Sequence, residues 1–512
     1  MARDTASIAQ RLVPAMPRSS GWASALIVTA IGAILRLWNL GQPNAVIFDE
    51  TYYPKDALAL LRFGVEQATV SDADKLLLKS DGDWQTVDIF TGAASFVVHP
   101  PLGKWIIGLG ELVFGATPTG WRISVAILGI IAVLLTARIA RRLTRSNLVG
   151  TLAGLFVALD GMHLVMSRTG LLDLILGFFV LVAFGCLLMD RDQVRGRLAR
   201  LVTEQGLQAT ASTWGPRLGT RPWRWAAALA LGMACSVKWS GIWFAVAFML
   251  MSLVWDISTR RAVGVEQPWR ATLVRDLPVT AVVSLVIIVG VYLLSWTGWF
   301  ISDNGWDRNW AEGTGIVPAL SSLWHYHAEM WNFHVGLTTA HAYASNPWSW
   351  LVQARPTSFY WDNVTDGTGG CPTDNCATEV VALGNPIIWW AGVLAIVYQV
   401  WRWLGKRDWR SAAVLVGIAA GWLPWMLYLN RTIFTFYSVV FMPFIAIALA
   451  MSAAALLGPA DAGQRRRRGG AIAIAVLVAA VVLTAWWLYP VWTGVQLPYN
   501  EWQQRMWLPT WV

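Results

Sequence analysis

Leu102-Gly103-Lys104-Trp105-Ile106-Ile107-Gly108-Leu109-Gly110-Glu111-Leu112-Val113-Phe114 is the stretch on which the topology turns. It is apolar enough to pass for a membrane crossing. A crossing helix wants about 20 predominantly apolar residues, and this run stops short of that. If it did cross, the next loop of arginines would lie outside. Pro100-Pro101 precedes it, as suits the first turn of a helix. We read it as an interfacial helix within an outer loop.

Working outward, apolar runs cover 22–40, 120–142, 147–164, 170–189, 224–239, 241–257, 278–298, 386–404, 411–429, 436–457 and 470–490. The pattern predicts an all-α polytopic membrane protein with about 11 transmembrane helices. The 224–239 run is short for a crossing and is expected to be broken or tilted. Alternate loops are basic. Arg3, Arg11 and Arg18 precede the first run, and Arg138, Arg141, Arg142 and Arg145 join the second and third. Arg191 to Arg221, Arg260 to Arg275, Lys406 to Arg410 and Arg465-Arg466-Arg467-Arg468 fill the later even-to-odd junctions or their equivalents. The positive-inside rule places these loops in the cytoplasm. The N-terminus is then inside and the C-terminus outside. Residues 1–21 read as a cytoplasmic tail, since the first run is too long for a signal-peptide core. Residues 22–490 form the transmembrane domain, and 491–512 form an outer tail. The large outer loops are 41–119 and 299–385.

Composition agrees. The chain has 512 residues, 56% hydrophobic and 13% charged, against about 25% charged in soluble domains. Its net charge of +9 sits in short loops between apolar runs, which argues against nucleic acid as a partner. The 34 tryptophans gather at run ends and in the second outer loop, as suits a water–lipid boundary. Cys186 and Cys235 lie in apolar runs. Cys371 and Cys376 stand in an outer loop, where a short disulfide or two free thiols are both open.

Chemistry concentrates outside. Asp49-Glu50 follows the first run, and such carboxylates at a membrane boundary are candidates for function. His99, His325, His327, His334 and His341 lie in the outer loops, and His163 at an outer run end. Arg122, Arg168, Lys238 and Arg431 stand at outer run ends, the side that the positive-inside rule depletes. Snorkelling explains any one of them. Together they suit a phosphate, which a guanidinium binds in bidentate fashion. A carboxylate base, phosphate-binding cations and an aromatic surface fit transfer of a group from a lipid phosphate to an external hydroxyl. Metal ligation is the competing reading for the acids. Asp72-x-Asp74 and Asp81-x-Asp83 are short DxD patterns that acidic turns also produce, and His325-x-His327 lacks a zinc-like partner set. No metal and no cofactor is expected.

Five ordered elements carry a family resemblance. They are Asp49-Glu50; His99-Pro100-Pro101-Leu102-Gly103-Lys104; Ser167-Arg168-Thr169-Gly170-Leu171-Leu172-Asp173; Ser236-Val237-Lys238-Trp239; and His334 to Pro356 with His341-Ala342-Tyr343-Ala344-Ser345-Asn346-Pro347-Trp348-Ser349-Trp350. Over about 22–460 the chain resembles the protein O-mannosyltransferases, and a bacterial member among them. The resemblance implies a GT-C glycosyltransferase fold. It also implies inverting transfer of mannose from a polyprenyl-phosphate-mannose donor to Ser or Thr of exported proteins, at the extracytoplasmic face of the cell membrane. Asp49 would be the general base and Glu50 would help place it. Arg122, Arg168, Lys238 and, on a shorter match, Arg431 would stabilise the donor phosphate. His99, Asp173, His341 and Trp348 would shape the acceptor side. The family is thought to need no metal. Eukaryotic members carry a β-trefoil in the second outer loop, and 299–385 is too short for one. Acceptor choice would then rest on the transmembrane core or on the protein export channel. Two alternatives are a GT-C transferase acting on a cell-wall glycan or glycolipid, and a transporter or lipid flippase. Pro347-Trp348-Ser349-Trp350 speaks against the first. The outer placement of the ionisable groups speaks against the second, since transporters place them at the midplane.

Overall fold

The computed structural model describes residues 2–16, 19–80, 82–365, 370–459 and 461–512, with the side chains of 2–6 left out. The side chain of Arg3, together with Arg18 and Asp81, therefore lies outside the described residues. Helices dominate. Seven described helices are long and apolar enough to cross a membrane. Asn147–Ala158 and Gly161–Ser167, bent by 61°, make an eighth if taken as one span. Trp22–Leu37, Pro222–Cys235 and Met442–Leu456 occupy the other expected runs but are shorter than a full crossing. Leu102–Phe114 forms a helix as expected. It packs along the start of Pro118–Thr144 so closely that a Cβ on Gly120 would meet the Gly115 carbonyl at 1.9 Å. Leu109, Leu112, Val113 and Phe114 remain exposed, an apolar edge suited to lipid.

The bend near 160 has a specific cause. A helix break inside a membrane must satisfy its freed backbone groups. Asp160 accepts hydrogen bonds from His163 N at 2.9 Å, Asn385 N at 3.0 Å and Trp389 Nε1 at 2.8 Å. Buried Arg36 donates to the Val157 and Ala158 carbonyls at 3.1 and 3.2 Å. His163 is thus part of the bend, its Nδ1 3.0 Å from Arg36 Nη2.

The loops sort into two ends. At one end, basic loops meet through buried ion pairs. Arg221 and Arg224 share Asp190 and Asp256, with Arg224 Nη2 donating to Asp256 Oδ2 at 2.7 Å. Arg260 pairs with Asp276 at 2.9 Å. The other end carries the two large loops. There β1 (Gln67–Thr69) pairs antiparallel with β2 (Phe90–Ala94). In the second loop β3 (Thr357–Val364) and β4 (Cys376–Ala382) form an antiparallel hairpin, and β5 (Leu497–Pro498) from the chain's end adds to β4. A disulfide joins Cys371 and Cys376 at the hairpin's tip. The 491–512 segment is therefore docked, with Trp502 and Trp511 buried and Trp502 Nε1 donating to Glu379 at 2.6 Å.

Candidate active site

The acid pair sits on a short 3-10 turn, Phe48–Thr51. Three residues per turn point neighbouring side chains about 120° apart, so the two carboxylates face different surroundings. Glu50 is fully buried. Its oxygens accept from Arg122 Nε and Nη2, both at 2.8 Å, from Gly170 N at 2.9 Å and from Ile47 N at 3.1 Å. Arg122 spends its remaining donors on the carbonyls of Leu40, Pro43 and Ala45. All five guanidinium N–H groups are thereby taken. The fork ties the first loop to the Pro118–Thr144 helix and leaves Arg122 no donor for a phosphate.

Arg168 is also committed. Its Nη1 donates to the carbonyls of Arg36 at 2.8 Å and Trp38 at 2.7 Å, and its Nη2 to that of Asn39 at 2.9 Å. The Arg36 and Trp38 carbonyls are among the orphan acceptors that end the Trp22–Leu37 helix, and Asn39 follows its C-cap. Arg168 caps that helix.

Asp49 points the other way. Its carboxylate makes no hydrogen bond among the described residues. Burial raises its pKa to about 6, with the nearby Lys238 ammonium pulling down and Asp173 pushing up. A carboxylate with such a pKa is ionised at neutral pH and still basic enough to take a proton. Phe48, with φ of +48°, holds an uncommon backbone for a bulky residue. Stacking on Phe359 at 4.6 Å and edge contacts with Phe434 and Phe436 lock it there. His341 meets the same Phe48 edge at 6.3 Å and is exposed. Trp348 is exposed and leans on Trp422, some way along the same surface.

Lys238 and Asp173, whose charges act on Asp49, belong to a cavity of about 320 Å³. Lys238, Asp173, His99, His334, Arg431 and Tyr437 line its polar end. Asp173 opens the Asp173–Gln205 helix and holds Lys238 Nζ at 2.8 Å, leaving Nζ two further donors. Arg431 Nε donates to the His334 carbonyl at 2.9 Å, and its Nη1 makes no hydrogen bond among the described residues. His334 Nε2 lies 2.8 Å from the Val98 carbonyl and must carry the proton. Its Nδ1 is then free to accept from Arg431 Nη2 at 3.3 Å. Burial lowers the His334 pKa to about 4 and takes His99 well below the ordinary value, with neighbouring cations adding to both. The two rings, 5.2 Å apart, are neutral at neutral pH. The positive charge of the cavity belongs to Lys238 and Arg431.

Trp239, Ile242 and Trp331 are shared between this cavity and an apolar groove of about 930 Å³. The groove runs between the Gly241–Ala262 helix and the Leu277–Ser295 helix, from Ile242 to Leu253. At 1.5 Å per residue that is about 17 Å of helix. The helix on its far side is mostly exposed, so the groove opens sideways.

Among the described residues, no three His, Cys, Asp or Glu side chains gather where a metal ion would be held. Asp74 is taken by Thr51 and Lys55 at 2.7 Å. His325 stands against Asp307 while His327 bonds to Tyr292, so the His-x-His pair diverges. Tyr437 was missed in the sequence, where its nearest signal was the cluster of aromatic residues around it, and His334 was placed at the head of the fifth element without a role.

The comparisons with known proteins agree with this architecture. The model of the dolichyl-phosphate-mannose-protein mannosyltransferase family matches residues 26–300. The C-terminal four-transmembrane region of protein O-mannosyltransferase matches 319–511. A polyprenol-phosphate-mannose–protein mannosyltransferase of Mycolicibacterium smegmatis is 39% identical over 97% of this chain and 94% of its own. One from Mycobacterium tuberculosis is 37% identical over 97% and 93%, and one from Corynebacterium glutamicum 33% over 99% and 98%. In fold, the chain is similar to the Saccharomyces cerevisiae Pmt1–Pmt2 complex bound to its sugar donor. The TM-score is 0.70 at 14% identity, covering 100% of this chain and 94% of the other. This is the GT-C fold, and the resemblance read from the five motifs holds along the whole length. The chain belongs to the protein O-mannosyltransferase family.

Proposed function

We propose that the protein transfers mannose from a polyprenyl-phosphate-mannose donor to Ser or Thr hydroxyls of exported proteins, at the outer face of the cell membrane. The observation that carries this is the continuity of a cationic cavity with an apolar groove, beside an unpaired carboxylate. The groove suits a prenyl chain entering from lipid. Lys238 and Arg431 suit its phosphate. Asp49 takes the proton of the acceptor hydroxyl as that oxygen attacks the anomeric carbon. The bond from that carbon to the phosphate oxygen breaks, and polyprenyl phosphate leaves with the electron pair. The two cations stabilise the charge that develops there. A single displacement inverts the anomeric centre. Asp173 orients Lys238, while Glu50, Arg122 and Arg168 hold the scaffold around them. Phe48, His341 and Trp348 border the acceptor's approach. The basic loops face the cytoplasm in this reading, as the positive-inside rule requires.

The test is purified protein with polyprenyl-phosphate-mannose and a Ser/Thr-rich peptide. Label on the peptide supports the reading. Label on glycolipid alone, or donor movement without transfer, rejects it. Losing one charge-assisted contact of about 1.5–3 kcal/mol corresponds to roughly 10- to 150-fold. Arg431→Gln is expected to lower kcat/KM for the donor by about that factor, with the peptide KM unchanged. Steady-state titration of each substrate checks it.

A further inference from the structure

A second cavity, of about 210 Å³, lies at the opposite, arginine-rich end of the helices. Six arginine side chains line it, and Asp192 is its one acid. They come from separate segments: Arg11 from the N-terminal helix, Arg142 from the last turn of Pro118–Thr144 and Arg145 from its C-cap, Arg191 and Arg195 from Asp173–Gln205, and Arg410 from Trp409–Trp422.

Their hydrogen bonds show what is left over. Arg142 Nε and Arg145 Nη2 share Asp192 at 3.0 and 3.1 Å, one on each carboxylate oxygen. Arg195 donates to the Leu12 and Arg11 carbonyls at 2.9 and 3.0 Å and so pins the N-terminal helix. Among the described residues the Arg410 side chain has a single polar contact, 3.6 Å from Asp408. Arg191 makes no hydrogen bond among the described residues. Its guanidinium carbon lies over the Trp409 ring, 3.4 Å from the centroid, with the Trp255 centroid at 5.8 Å. Stacking holds the plane in place while its edge donors stay open. Leu143 and Leu188 supply an apolar wall beside it.

Topology alone accounts for arginines on this side. It does not account for their convergence on one cavity, nor for a stacked guanidinium that makes no hydrogen bond among the described residues. Like charges at such density repel unless an anion joins them. We propose that this cavity binds the phosphate headgroup of an anionic phospholipid of the same leaflet. The open edge of Arg191 takes phosphate oxygens in bidentate fashion, and Arg410 and Arg142 flank it. Basic pockets between transmembrane helices bind anionic headgroups in this way. Bound there, the lipid ties the N-terminal helix, the end of the Pro118–Thr144 helix and the Trp409–Trp422 helix together. The leaflet follows from the orientation proposed above. The binding itself does not depend on that orientation or on the transfer chemistry.

Full-length protein in neutral detergent is titrated with cardiolipin or phosphatidylinositol in mixed micelles, with phosphatidylcholine as reference and inorganic phosphate as the soluble arm. The readout is the unfolding temperature. We expect a saturable rise with the anionic lipids only. Half-saturation should move about 10-fold higher in Arg191→Gln and in Arg410→Gln, and stay put in the double variant R465Q/R468Q, whose charges lie outside the cavity. Arg410 is partly exposed, so its variant keeps the test open if Arg191→Gln folds poorly. Three outcomes overturn the proposal: variants that titrate like the parent, a control that loses the effect equally, or an equal rise with inorganic phosphate, which makes the site one for soluble anions.

Discussion

Asp49→Asn is expected to cut mannose transfer by about 10²- to 10⁴-fold, the range that one positioned general base contributes. The fold should survive, because the Asp49 side chain holds no other group in place. Its surroundings disfavour the charged form, since burial raises its pKa to about 6, so the fold gains nothing from that charge. Asn has nearly the same shape but cannot take a proton. Donor affinity should hold or improve, since removing a negative charge near Lys238 leaves that ammonium more available to the donor phosphate. Turnover and donor binding measured side by side check both halves. Normal turnover in this variant would exclude Asp49 as the base.

Glu50→Ala is expected to fail differently. It leaves the Arg122 guanidinium buried without its carboxylate, both groups having no solvent exposure. Breaking such a pair from one side costs about 3–5 kcal/mol. That is a large share of the roughly 5–15 kcal/mol that holds a typical protein folded. The variant should accumulate poorly and unfold at much lower temperature, losing transfer in step with folded protein. Thermal unfolding of the purified variant checks this. A Glu50→Ala protein that folds normally yet transfers nothing would make Glu50 a chemical participant. The two adjacent acids thus have separate assignments, one to chemistry and one to scaffold.

Much of this was legible in residue order. Hydrophobic runs and alternate basic loops mark the helices, and the structure has a helix in each run. The short Leu102–Phe114 segment folds as a separate helix against its neighbour. Motif spacing brought Asp49, Lys238 and Asp173 into one list, and they are neighbours in space. What the sequence concealed is which cation does what. Arg122, Arg168, Lys238 and Arg431 look alike at outer run ends. Their partners lie elsewhere in the chain: Glu50 for Arg122, the carbonyls ending the first helix for Arg168. A guanidinium's fate depends on the acceptors that folding brings to it, and a linear pattern does not show them. The β3–β4–β5 sheet was hidden for the same reason. Its third strand is two residues long and arrives from the chain's end, so no local alternation announces it. The bend at Asp160 is invisible too, since its hydrogen-bond partners include Asn385 and Trp389 from a distant helix.

The central claim is that a single carboxylate, Asp49, takes the acceptor's proton. The pH dependence of kcat/KM for the peptide tests it most directly. Only the ionised form acts as base, and its pKa is raised, so activity is lost as pH falls through that value. The account predicts a plateau above neutrality and a tenfold fall per pH unit below a midpoint near 6. The residual activity of Asp49→Asn should lack that limb. A profile flat from pH 5 to 8, or a limb that persists unchanged in Asp49→Asn, would contradict it.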